Sequence, residues 1–229
     1  MNGMTEPIPH ISTQIWMKNE MSMVNLKKSD VIRFGRYPQK NDPAAAAEPI
    51  EWIVLETDGK SAKLLSRYGL TTKAYDEHGF WPVTWENCTL RAWLNNEFLN
   101  TAFTEEEQQR LLFVTIEADY GPFYTERNET RDKVFLPDAE ETEKYLPTND
   151  ERICIPTERA IREGAYAGKN PGSGCWWWLR TPSISMPNYV CVVDTDGSFD
   201  DDGFPVGTFG KNDNGDIVVR PVIVLDLEL

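Results

Sequence analysis

Five consecutive residues, Trp176-Trp177-Trp178-Leu179-Arg180, concentrate the side chains best suited to recognition chemistry. An indole stacks on a sugar ring or a peptide side chain. A guanidinium takes a carboxylate or phosphate in two-pronged fashion. Arg220 stands in a second apolar run, "IVVRPVIVLDL", and offers the same chemistry. Between them lie Asp194, Asp196, Asp200, Asp201 and Asp202, five aspartates in nine residues. Carboxylates so closely spaced raise the question of calcium, which takes six to eight oxygen ligands.

Side chains alternate along a strand, so Trp176, Trp178 and Arg180 share one face and Trp177 and Leu179 the other. Large residues on both faces describe a strand covered on both sides, with Trp177 in a core. Arg180 and Arg220 need acceptors if buried, which makes loop-pinning bonds the structural reading for both. The functional reading places Trp178 and Arg180 at the border of a binding groove, with Arg220 as a third ligand-binding candidate. The aspartates fail the calcium-loop order. With Asp194 first and Asp196 second, the third ligand is Ser198, the required glycine is Phe199 and the closing glutamate is Pro205. They read as a "DTDG" turn followed by a solvated "DDDG" turn, and no metal is expected.

Catalytic patterns are missing from the sequence. It has no Ser-His-Asp arrangement, HExxH or phosphate loop, and it offers no cofactor motif. Cys88, Cys154, Cys175 and Cys191 include no CxxC pair, so zinc is not expected and the thiols read as free. The two histidines are His10 and His78. The acids are too numerous to single out a catalytic pair.

The elements that must position these residues are strand-rich at both ends and helical between. "DVIRFGRYPQ" reads as a first strand. "IEWIVLETDGKSAKLLSR" is a hairpin turning at Asp58-Gly59, with Trp52 and Val54 on one face and Ile53 and Leu55 on the other. "TWENCTLRAWLNNEFL" is an amphipathic helix with Thr84 as N-cap and Leu90, Trp93, Leu94 and Phe98 on one stripe. Thr104 and Glu107 form a capping box for the next helix. A helix begins near Pro137, with the acids from Asp138 to Glu143 as a solvated face. Another is capped by Thr157 and stopped at Gly168. "WWWLR", "YVCVVD" and "IVVRPVIVLDL" are strands, bulged or at an edge at Pro221. Strands, then helices, then strands, without a repeated βαβ unit, predict an α+β fold of mostly antiparallel sheets with several short helices. Residues 1–29 read as a tail or loose arm and 30–229 as a single domain.

The net charge is −14, from 37 acidic and 23 basic residues, which excludes the basic footprint of a nucleic-acid binder. No apolar run is long enough for a membrane helix, so membrane insertion is not expected. The N-terminus has neither a basic nor a continuous apolar region. With Met1 as the natural start, the chain is expected in the cytoplasm.

The blocks "TWENCTLRAWLNNEFLNTAFTEEEQQRL", "DKVFLPDAEETEKYL", "PTERAIREGAYA", "WWWLRTP" and "VVRPVIVL" occur in that order. Together they resemble a bacterial domain-of-unknown-function family over about residues 30–229. Members carry a WWLR-Ser-Pro-Gly segment and a closing Gly-Val-Arg-Pro-Ala strand. Here Thr181 and Ser183 replace Ser and Gly, and Val218 and Val222 replace Gly and Ala. More loosely, the closing pattern is similar to the C-type-lectin-like fold of formylglycine-generating enzymes and of hypervariable ligand-binding proteins. The resemblance implies a C-type-lectin-like core, although fold does not dictate function. No match to the reactive cysteine pair of those enzymes is present.

The reading that follows is a non-catalytic module for a protein, peptide or carbohydrate ligand. A small hydrolase or transferase with a carboxylate or arginine site is the second. A structural or assembly domain is the third. The degree to which each aromatic residue reaches solvent separates them.

Overall fold

The computed structural model describes residues 25–78, 83–117, 121–123, 129–166, 174–207 and 216–229. The first sheet is built on β1 (Val31–Tyr37) and the hairpin of β2 (Glu48–Thr57) and β3 (Ser61–Ser66). Gly59, with φ +86°, makes the turn the sequence predicts. Trp52 and Val54, on one face, are both fully buried, yet Leu55 is buried too while Ile53 is only half-buried. The strict alternation fails because the β2–β3 register shifts between Val54 and Glu56, a bulge that turns Leu55 inward.

Two short strands follow, β4 (Tyr68–Gly69) and β5 (Thr71–Thr72). The first helical region runs as α1 (Thr89–Trp93), a π-helical turn (Leu94–Phe98) and α2 (Leu99–Ala102). Thr84 is not its cap. The Thr84 carbonyl accepts from Cys88 N in a preceding turn, and the Cys88 sulfur caps the helix by accepting from Arg91 N. Leu90, Leu94 and Phe98 are buried and Trp93 packs against the core, so the apolar stripe is real although the start moves. α3 (Glu105–Arg110) begins at the predicted Thr104–Glu107 capping box.

β6 (Val114–Ile116) pairs with β7 (Thr130–Asp132), and β8 (Val134–Phe135) precedes α4 (Ala139–Tyr145). α5 (Asn149–Arg152) and β9 (Ile155–Pro156) lead to α6 (Glu158–Arg162), capped by Thr157. α6 ends well before Gly168, which lies outside the described residues. Gly164 breaks it with φ +112°, a conformation that favours glycine.

The C-terminal part supplies β10 (Trp177–Pro182), β11 (Tyr189–Val193), β12 (Phe199–Pro205), β13 (Val218–Val219) and β14 (Val222–Asp226). Two five-stranded sheets result, ordered β1-β2-β3-β14-β8 and β12-β11-β10-β13-β5. All their pairings are antiparallel except β10 with β13. The architecture is α+β with mostly antiparallel sheets and short helices. Pro221 marks the break between β13 in one sheet and β14 in the other. It has no N–H for a ladder, while its carbonyl accepts from Ser66 N at 2.9 Å.

One apolar cluster joins both sheets, with Trp52, Leu64 and Ile223 from the first and Trp178, Val192 and Val219 from the second. A smaller cluster on the other face of β10 holds Trp177, Leu179, Cys154, Cys175 and Ala160. No helix among the described residues is long and apolar enough to cross a membrane.

Candidate functional site

β10 lies mid-sheet with apolar matter on both faces, and this decides the fate of its tryptophans. Trp177 is fully buried in the smaller cluster, and its indole N–H donates to the Arg152 carbonyl at 3.1 Å. Trp178 is fully buried in the larger one. Its N–H donates to the Lys73 carbonyl at 2.8 Å, and its ring meets Tyr75 edge-on at 5.7 Å. The sequence places Trp178 at the border of a groove; the structure places it inside the core, with its polar atom satisfied.

The two arginine candidates also face inward. Arg220 is 1% exposed. Its Nε donates to the Ser66 carbonyl at 3.0 Å, its Nη1 donates to the Arg152 carbonyl at 3.2 Å, and its guanidinium lies over the Trp177 ring. It ties β3, α5 and β10 together just before the chain changes sheets. The Arg180 side chain retains 10% exposure, and its Nη2 donates to Asp138 at 2.5 Å and Glu141 at 2.9 Å. Trp178, Arg180 and Arg220 thus do not converge on a common surface.

The acids at the start of α4 are a clamp rather than the wholly solvated face expected. Asp138 caps the helix, and Glu141 accepts from both Arg180 and Lys63, the latter at 2.8 Å. Burial raises the Glu141 carboxyl, but the neighbouring Arg180 and Lys63 charges outweigh it and hold the group below its ordinary value of 4.5.

Trp176 differs from its two neighbours. It precedes the first residue of β10, at the end of the sheet, and is only half-buried. Its indole N–H donates to Asp194 Oδ1 at 2.6 Å, just beyond β11. Its ring is the middle of three, 6.0 Å from Tyr166 and 5.0 Å from Phe204, with interplanar angles of 23° and 40°. Phe204 comes from β12. Tyr166 follows the break at Gly164, where Asp216 N donates to the Gly164 carbonyl at 2.9 Å and Ala165 bridges Asp216. Tyr166 is 42% exposed, so the row opens to solvent at that end.

Asp194 touches this row through Trp176, and Asp200, Asp201 and Asp202 share β12 with Phe204. The "DTDG" turn forms as predicted, with Gly197 N donating to the Asp194 carbonyl at 2.9 Å. The "DDDG" stretch is not a turn. Asp200, Asp201 and Asp202 lie within β12, where the register with β11 shifts and Gly203 takes φ +69°. The local sequence looks like a turn, but pairing with β11 extends it into an edge strand. Asp201 and Asp202 are exposed. Among the described residues, no three His, Cys, Asp or Glu side chains gather where they could hold a metal.

A cavity of about 260 Å³ lies elsewhere, lined by Glu56, Thr57, Asp58, Ser61, Lys63 and Val224. Its charges are already engaged. Glu56 accepts from the Tyr145 hydroxyl and pairs with Lys144 at 3.6 Å, and Lys63 pairs with Glu141.

The family model for a domain of unknown function (DUF6273) matches residues 59–227. The chain belongs to this family. The DUF6273 match opens at Gly59 in the β2–β3 turn, so β1 and β2 precede it, a later start than the resemblance from about residue 30 suggests. The whole aromatic row falls inside the match. No curated protein and no solved structure matches the chain.

Proposed function

We propose that this DUF6273 chain is a non-catalytic binding module whose ligand meets the aromatic row of Tyr166, Trp176 and Phe204. One observation carries the reading. Of the three consecutive tryptophans, Trp177 and Trp178 are fully enclosed, while Trp176 is half-exposed and leads to an open tyrosine ring. A partly solvated row of rings is a stacking surface for a peptide or a carbohydrate. Trp176 and Phe204 stand at the ends of packed strands, so little order is lost there when a ligand docks.

The C-type-lectin-like architecture belongs to the same reading. Its support is the closing strand β14, which returns beside β3 of the first hairpin. A single domain from about residue 30 is supported by the apolar cluster shared between the two sheets. The enzyme reading has less behind it, because the carboxylates and lysine lining the cavity beside Val224 are already engaged in bonds and ion pairs.

An array of glycans and peptides probed with the native chain and with Tyr166→Ala tests the proposal. The native chain is expected to capture at least one class, and Tyr166→Ala, folded with an unchanged melting temperature, is expected to lose it. Equal capture by both proteins would contradict the assignment of the site.

A further inference from the structure

Among the described residues, carboxylates outnumber cations around the aromatic row. Asp194 holds the Trp176 indole N–H, and Asp216 bridges Ala165, the residue before Tyr166. Asp200, Asp201 and Asp202 share β12 with Phe204. From Gly174 to Gly207 the chain has five aspartates and a single basic residue, Arg180. Arg180 is already bonded to Asp138 and Glu141, and Arg152 donates to the Gly197 carbonyl and lies over Phe199, leaving the Asp201 and Asp202 side chains exposed farther along β12.

Two features meet here that neither an acidic turn nor a buried aromatic cluster would explain alone. Tyr166 offers an open ring, and the polar groups around the row include the carboxylates of Asp194 and of β12. A cation over an aromatic face gains about 0.5–1 kcal/mol at an exposed site and more when desolvated. Carboxylates within a few ångströms of the ligand add attraction that salt weakens. Lysine and arginine also have aliphatic stems that lie along rings while the charged heads reach outward. A neutral sugar would stack on the rings and donate its hydroxyls to the acids, but it carries no charge for them to attract. A second copy of this chain, at net −14, is repelled over most of its surface.

β12 contributes in a further way. It is an edge of its sheet among the described residues, and its aspartates and bulge discourage pairing with another strand of like charge. The same aspartates attract an extended segment of opposite charge.

We infer that the ligand of the aromatic row is a lysine- or arginine-bearing peptide segment of a partner protein, held by Tyr166, Trp176 and Phe204 together with the aspartates of β12. The inference rests on the binding-module reading above and specifies its ligand.

The test uses the full chain and three fluorescent probes: a short peptide alternating lysine and alanine, its glutamate counterpart, and a neutral oligosaccharide set. Fluorescence anisotropy is read at low and physiological salt. The lysine peptide is expected to bind and to weaken as salt rises, while the glutamate peptide does not bind. Tyr166→Ala is expected to weaken the lysine peptide by about five-fold. The double variant Asp201→Asn/Asp202→Asn is expected to weaken it and flatten its salt dependence. Both variants must keep the native melting temperature. Lysine-peptide binding that both variants leave unchanged overturns the inference. So does equal binding of the glutamate peptide. Tyr166-dependent binding of an oligosaccharide alone overturns the basic-peptide assignment and keeps the binding-module reading. Self-association lost in Tyr166→Ala assigns the face to a second copy and also overturns it. If no probe binds, both readings fall together.

Discussion

The Arg220 guanidinium lies over the Trp177 ring, 4.8 Å from its centroid, and both groups donate to the same carbonyl, that of Arg152. Both side chains are essentially inaccessible to solvent, at 1% and 0% exposure. The charge is carried by backbone acceptors and an aromatic face, which also fix where the chain leaves β13 for β14. This pair joins the smaller core to the crossing between sheets.

Trp177→Ala should therefore destabilise the protein severely. Deleting a buried indole removes its transfer free energy and leaves a cavity, together about 3–5 kcal/mol. That is a large part of the roughly 5–15 kcal/mol that holds a typical domain folded. Urea titration followed by circular dichroism measures it. A midpoint close to the native one would show that this indole does not hold the core.

Arg220→Lys keeps the charge but not the planar fork. An ammonium cannot match the Ser66 and Arg152 carbonyls and the Trp177 face together. A buried acceptor left unsatisfied costs about 1–3 kcal/mol, and a loss of that size is expected in the same titration. A substitution without effect would mean that either cation fills the place.

Much of this frame is readable from local pattern. The Asp58-Gly59 hairpin, the Thr104–Glu107 capping box and the β11 strand each depend on residues close in sequence, and each forms where expected. Proline chemistry marks Pro221 as a bulge or an edge, whereas the chain there crosses from one sheet to the other, with β13 and β14 each between two neighbours. Other features depend on distant partners. Alternation shows which tryptophans share a face, but not that the strand starts at Trp177 and leaves Trp176 at its rim. Arg180 meets Asp138 and Glu141 across about forty residues of chain, a pairing that no local spacing announces. The Asp200–Asp202 run looks like a turn until β11 is there to pair with it. The aromatic row was missed for the same reason: Tyr166, Trp176 and Phe204 come from three separate segments.

The Arg180 clamp predicts a dependence on acid. The Glu141 carboxyl is held below its ordinary 4.5 in the folded chain, since Arg180 and Lys63 outweigh its burial. A lowered folded value means stabilisation that is fully present above the unfolded value and lost as pH falls through the folded one. Glu141→Gln should thus be less stable than the native chain at neutral pH, with the gap closing as the solution is acidified below 4.5. Urea midpoints of both proteins across that range measure it; a gap that stays constant or widens would contradict the clamp.

The four thiols are free and buried. Burial pushes Cys88 up to about 12 and Cys175 well above the ordinary thiol value. The Cys175 thiol donates to the Cys154 carbonyl at 3.2 Å, and that of Cys191 to the Pro182 carbonyl at 3.4 Å. A thiol-reactive dye should label the native chain slowly. After denaturation without reductant it should label all four cysteines. Rapid labelling of the native chain, or fewer than four labels after denaturation, would contradict this packing.

The central claim is that one tryptophan of the triplet serves recognition while the other two serve the core. Indole N–H resonances in a nitrogen-15 correlation spectrum read each tryptophan separately, once single Trp→Phe variants assign them. Titration with the lysine–alanine peptide should move the Trp176 resonance progressively and leave those of Trp177 and Trp178 in place. A Trp176 resonance that stays fixed while the peptide binds, or shifts confined to Trp177 or Trp178, would contradict the account.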